Sequence, residues 1–255
     1  MLILFFGLIF GMIMGSFINS AVWRVHEKKF SYTDRSRCVS CLRVLSWYQN
    51  IPICSFVWFR GICLFCKKKI PFDYLLVEIF TALLGLFLCY FHVAQDSLFS
   101  VLFFRDAVIL CCLVYIFVYD AKYMEILNRV TILPAIFLTF ASVYFGWQDF
   151  WTILWGVLVG GGFFLAQYVF SQGKWVGGGD VRMGLFMGVI LGWPNILCAL
   201  LLSYVLGALF GVWLLAHRKG QLGTSVPFGT FLAIGTLVTH YYGDLLVSWY
   251  ISLLV

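Results

Sequence analysis

The stretch "LCCLVYIFVYD" (residues 110–120) runs through ten apolar residues and ends on an acid. It shows no period-two alternation, so it reads as a buried helix or a bilayer-crossing one. What surrounds it decides between them. Broken only by Arg105 and Asp106, the apolar character reaches back to residue 100, giving the roughly 20 residues a helix needs to cross hydrocarbon. Segments of the same kind recur at 2–23, 74–94, 130–147, 150–171, 195–216 and 226–250, with a shorter one at 181–193. The chain is 63% hydrophobic and 11% charged, against about 25% charged in an ordinary soluble domain. Backbone groups in lipid must pair within their own segment, and the alternation of a barrel is absent. The expected fold is an all-α polytopic membrane protein with about eight transmembrane helices.

Charge orients it. No Lys or Arg precedes the first apolar segment, and Arg24, Lys28 and Lys29 follow it, the order of an uncleaved anchor with its N-terminus outside. Ten of the 17 basic residues fall between Arg24 and Lys69. Lys122, Arg129, Lys174, Arg182, Arg218 and Lys219 fall in connections that eight spans put on the same, cytoplasmic side. Arg105 alone disagrees, beside Asp106 near the outer end of the third segment. Neighbours on a helix do not face each other, so Arg105 is expected to snorkel. The net charge of +6 thus marks orientation. It is not read as nucleic-acid binding, because no basic patch is interleaved in a base-stacking pattern.

Only residues 24–73 read as an aqueous unit. They carry "CVSC" (Cys38, Cys41) and "CLFC" (Cys63, Cys66). Two CxxC pairs at this separation predict a tetrahedral thiolate site for Zn²⁺, which a unit with so small a core would need as a staple. A disulfide or redox pair, or plain free thiols, are the competing readings. A cytoplasmic location disfavours the disulfide. The division expected is an N-terminal helix (1–23), the cysteine domain (24–73) and a membrane-embedded domain (74–255).

Most of the 11 acids sit in loops or near surfaces and need no function. Glu125, in a short connection, is one of these. Asp120 and Asp180 differ. The first closes a long apolar run, and the second follows "GGG" at 177–179 and opens the short segment. Both fall at the cytoplasmic edge at one depth, where an ionisable group is a functional candidate. Gly177 and Gly179 give the acid a permissive loop. Gly184 and Gly188 continue a small-residue stripe on which a neighbouring helix or a substrate helix can lie. Two close carboxylates share a proton, so one activates water while the other donates to a carbonyl. The four histidines lie in unrelated places, and neither a Ser–His motif nor a phosphate loop is present.

Several stretches then converge. "GSFINSAVWRV" (15–25), the cysteine region 37–78 with "WYQNIP" and its closing glutamate, "YDAKYMEILNRVT" (119–131) and "GGGDVRMG" (177–184) resemble the bacterial type IV prepilin peptidases. These are membrane aspartic proteases with a GxGD motif. The resemblance implies that Asp120 and Asp180 are catalytic and that Cys38, Cys41, Cys63 and Cys66 are metal ligands. It implies substrates that are prepilins or pseudopilins, with a basic leader and a hydrophobic N-terminal helix, cut at the cytoplasmic face of the inner membrane for type IV pilus assembly or protein secretion. It also implies N-methylation of the new terminus with S-adenosylmethionine. A GxGD protease for other membrane substrates is the alternative. A transporter using the acids as a proton relay fits poorly, since the acids lie at one edge and no internal repeat is visible.

Overall fold

The computed structural model describes residues 2–27, 34–217 and 226–252. Lys28, Lys29, Arg218 and Lys219, assigned above to the cytoplasmic side, lie outside the described residues. The helices are α1 (Leu2–Glu27), α2 (Cys54–Trp58), α3 (Phe72–Ala94), α4 (Val101–Tyr123), α5 (Asn128–Phe145), α6 (Phe150–Ser171), α7 (Gly178–Leu191), α8 (Asn195–Ala216) and α9 (Phe228–Ser252). A 3₁₀ turn covers Trp47–Asn50. Each of the eight expected segments is a helix, and six are long and apolar enough to cross a membrane. The two that are not are α7, with 14 residues, and α9. At 1.5 Å per residue α7 spans only about 21 Å. In α9, His240, Asp244 and several Thr and Tyr residues dilute the apolar character. The chain is therefore a multi-pass membrane protein.

Residues 1–111 form one unit and 112–255 a second. In the first, α1 lies antiparallel on α3 with almost no space between backbones. A Cβ at Gly7 would stand 2.6 Å from the Gly85 carbonyl oxygen, and one at Gly11 would collide with that of Thr81. The steps of four in Gly7, Gly11 and Gly15 are what bring the helices this close. At the far end of α3, buried His92 accepts or donates to Ser97 Oγ through Nδ1 (2.7 Å) and to Asp106 Oδ2 through Nε2 (3.1 Å). Arg105 Nε donates to Asp106 Oδ1 at 2.7 Å, which corrects the expectation that these neighbours do not meet. The guanidinium is long enough to fold back on the adjacent carboxylate, so Arg105 is paired. The cluster pins the 95–100 connection between α3 and α4.

In the second unit, α6 and α7 cross through the same device. Gly156 and Gly160 face Gly188 and Gly184, each with a virtual Cβ about 2.4–2.5 Å from the opposite carbonyl oxygen. Gly192 ends α7 at φ 65°, a left-handed conformation that favours glycine. Helices α8 and α9 pack through Gly235, whose virtual Cβ stands 2.8 Å from the Ala199 carbonyl oxygen.

Candidate active site and metal centre

Asp120 lies in the last turn of α4 and is 4% exposed. Its Oδ2 accepts the backbone N–H of Thr230, the third residue of α9, at 2.9 Å. Asp180 is the third residue of α7, and its Oδ2 accepts the backbone N–H of Gly177 at 2.9 Å. Both carboxylates therefore meet a helix N-terminus, Asp180 that of its own α7 and Asp120, from the C-terminal turn of α4, that of α9. There the unpaired amides and the helix dipole, worth roughly half a positive charge at the N-terminus, favour an anion. The two carboxylates interact through their charges and open on one cleft of about 600 Å³. Met124–Ile126, Lys174, Trp175, Arg182 and Val226–Phe228 complete its walls. Arg182 also acts on Asp180 electrostatically.

The glycines divide by role. Gly177 supplies the amide to Asp180. Gly179 passes close to Ile126, with a virtual Cβ 3.1 Å from the isoleucine Cβ. Gly184 and Gly188, expected as a groove for a substrate helix, are buried and filled by α6. That is a correction: a stripe of small residues takes whichever helix is nearest, and here the chain supplies it.

Three features of the cleft escaped the sequence reading. Gly229 leaves room for Asp120, since a Cβ there would stand 2.9 Å from its carboxylate carbon. Thr230 gives that acid its amide. The signal for both was "VPFGTF" (226–231), a proline and a glycine opening an apolar run. Glu125, assigned no function above, lines the same cleft, one residue beyond the last helical bond of α4, Met124 N–H to the Asp120 carbonyl.

The cysteines lie in the first unit on two matching turns. Arg37 bridges to Val44 and Ile62 to Lys69. Within each turn the first cysteine exchanges backbone bonds at the same offsets: Cys38 with Leu42 and Arg43, Cys63 with Lys67 and Lys68. Leu42 and Lys67 take φ near +58° to close them. The four sulfurs lie within 4.8 Å of one another, and Cys38 and Cys66 are 3.8 Å apart. Four sulfurs about 2.3 Å from a tetrahedral Zn²⁺ are themselves about 3.8 Å apart, so the donor set fits that ion. Burial pushes the Cys38 thiol up to about 11. At Cys63 burial acts the same way, but the N–H groups of Cys66 and Phe65 and the neighbouring thiols outweigh it and bring the thiol down to about 7. The other cysteines, including Cys54, lie outside the cluster.

Comparison with known proteins gives two family matches. Residues 9–92 match the bacterial peptidase A24 N-terminal domain, and residues 107–212 match the type IV leader peptidase family. The prepilin leader peptidase/N-methyltransferase of Bacillus subtilis strain 168 is 31% identical over 246 residues, covering 96% of each chain. Proteins of the same description from Pseudomonas putida (29%, over 92% of this chain and 89% of that one) and Pseudomonas aeruginosa (27%, over 96% and 92%) are also similar. No solved structure matches.

Proposed function

Since this chain belongs to the type IV leader peptidase family, we propose that Asp120 and Asp180 are the acids that hydrolyse the leader peptide bond. The protein is an enzyme that removes prepilin leaders and N-methylates the resulting terminus. In the mechanism, one ionised carboxylate takes a proton from water, whose oxygen adds to the scissile carbonyl carbon. The other, protonated, carboxyl donates to the carbonyl oxygen. Collapse breaks the C–N bond, and the proton first taken from water passes to the leaving amine. The observation that carries this reading is that two acids 60 positions apart meet in one cleft, each held by a backbone amide. Gly177 caps α7, and Gly179 lies in the first helical turn that places Asp180.

Four further points complete the proposal. Cys38, Cys41, Cys63 and Cys66 hold one structural Zn²⁺. S-adenosylmethionine supplies the methyl group. Substrates carry a basic leader and a hydrophobic N-terminal helix, and are prepilins or pseudopilins. The chain sits in the bacterial inner membrane with the cysteine loop and the cut on the cytoplasmic side, organised as helix 1–23, cysteine domain 24–73 and peptidase domain 74–255. Impermeant labelling of a reporter at position 69 in intact cells tests that orientation, and rapid reaction there would reverse it.

The test of the acids is substitution. Asp120→Asn and Asp180→Asn keep shape and packing but can neither carry the charge nor exchange the proton. Each should abolish cleavage of a purified prepilin, because groups that act as a unit fail together. Appreciable cleavage by either folded variant would remove the dyad.

A further inference from the structure

The backbone treats the two acids of the cleft alike, since each carboxylate takes amide N–H groups at the start of a helix. The cations do not. The groups that act on Asp120 are the amides of Thr230 and Gly229 and the charge of Asp180. Asp180 has in addition the charge of Arg182, two residues further along α7. The other charged or titratable side chains around the pair come from three places. Glu125 follows the end of α4, exposed Lys174 lies in the connection before α7, and Tyr204 of α8 feels the charge of Asp180. Among the described residues, α5, α6 and α9 add no charged side chain to the walls of the cleft.

Arg182 lines that cleft, and its Nε is buried without a hydrogen-bond partner. An unpartnered buried donor is costly, and this one persists where a positive charge bears on the dyad. Arg105 shows the other use of a guanidinium: its Nε lies 2.7 Å from Asp106 Oδ1, a clamp. Contact of that kind occupies carboxylate oxygens through N–H donors. Among the described residues Arg182 makes no such contact with Asp180. It leaves the oxygens to water and substrate, while its charge still favours the anion across the gap.

We propose that Arg182 makes Asp180 the ionised member of the dyad, the base toward water, and so leaves Asp120 as the protonated acid. The inference rests on the reading of these two residues as the hydrolytic pair and assigns the roles that their amide contacts leave equal. Asp180 takes a proton from water as the water oxygen bonds to the scissile carbonyl carbon, and the Asp120 proton goes to the carbonyl oxygen. The C–N bond then breaks with its electron pair going to nitrogen. Beside a cation the newly protonated Asp180 gives up its proton readily, and that proton goes to the same nitrogen. Asp120 recovers a proton from the hydroxyl that becomes the new carbonyl, so both carboxyls return to their starting states. Arg182 acts through Asp180 and is a positioning residue.

The test is the pH profile of kcat/KM for prepilin cleavage by the full-length protein in detergent, with thermal unfolding measured beside it. The acid limb reports the base losing its proton, and the alkaline limb reports the acid losing its own. The base works only when ionised, so removing a cation that favours its anion moves the acid limb to higher pH. Arg182→Gln should move that limb up by about one unit and leave the alkaline limb in place. Arg182→Lys keeps the charge and should restore the wild-type profile. Lys174→Gln, which removes the exposed cation of the same cleft, should not move the acid limb. Arg182→Met, uncharged and of similar reach, gives a second measurement of the shift if the Gln variant does not fold. Movement of the alkaline limb in place of the acid one puts the proton on Asp180 and overturns the assignment. So does a folded, uncharged variant in which neither limb moves, or an acid limb that moves as far in Arg182→Lys or Lys174→Gln. Cleavage that survives in Asp120→Asn or Asp180→Asn removes the dyad itself, a different failure from a limb that stays in place.

Discussion

The replacement Gly229→Ala asks whether the dyad is positioned as tightly as its surroundings indicate. The added Cβ would stand 2.9 Å from Cγ and Oδ2 of Asp120 and 2.8 Å from Cδ1 of Ile126. Carbon atoms rest at about 3.5–4.0 Å from each other, so Asp120 or the start of α9 must yield by about 0.6–1 Å. Neither yields freely. The carboxylate is buried, and the amide that orients it belongs to Thr230, the next residue on the same helix. Catalytic groups tolerate about 0.5 Å of displacement, and a misplacement of about 1 Å costs on the order of 10²-fold. The variant should therefore lose about 10²-fold in kcat, near 2.7 kcal/mol, while KM moves little because the cleft walls remain. The assay is steady-state cleavage of purified prepilin in detergent, with thermal unfolding to show that the protein is folded. Gly162→Ala and Gly211→Ala are the controls, since nothing lies within 4 Å of a Cβ at either position. A Gly229→Ala enzyme with wild-type kcat would refute the reasoning, as would an equal loss in the controls.

Protein purified without chelator should carry about one Zn²⁺ per chain by elemental analysis, and a metal-free but folded protein would count against the cysteine centre. Cys38→Ser should release that metal and open the 34–69 region to proteolysis, and an unchanged digestion pattern would show that no staple exists there. Gly188→Ala places a Cβ 2.4 Å from the Gly156 carbonyl oxygen, a backbone atom that cannot rotate away. It should lower unfolding stability by about 1–3 kcal/mol, and an unshifted thermal midpoint would mean that α6 and α7 cross less closely.

The helices were legible because hydrophobic runs of bilayer length admit almost no other structure. The segments read at 150–171 and 195–216 coincide with α6 and α8, where aromatic and aliphatic residues continue to the ends. That Asp120 and Asp180 were worth pairing was legible for the converse reason, one acid closing an apolar run and the other opening one, and both line one cleft. What the sequence concealed were relations that depend on how distant segments meet. Nothing near residue 120 announces that Gly229 and Thr230 will cover its carboxylate. The Gly184/Gly188 stripe showed that something would lie close, but not that α6 already did. His92 looked isolated because its partners, Ser97 and Asp106, come from a turn and the next helix.

A common physical choice runs through the acids assigned chemistry. Asp120 is held by the Thr230 amide and Asp180 by the Gly177 amide. Asp106, which is assigned none, is held by a guanidinium and an imidazole. The difference follows from what each group must do. A guanidinium fixes a carboxylate but also keeps it ionised, which suits a clamp. An amide N–H fixes an oxygen, contributes no net charge and does not titrate, so it leaves the carboxylate able to take and give a proton. A dyad that alternates proton donor and acceptor needs that freedom on both members. Exchanging the two kinds of partner would leave the fold with carboxylates in the same places, and without the chemistry.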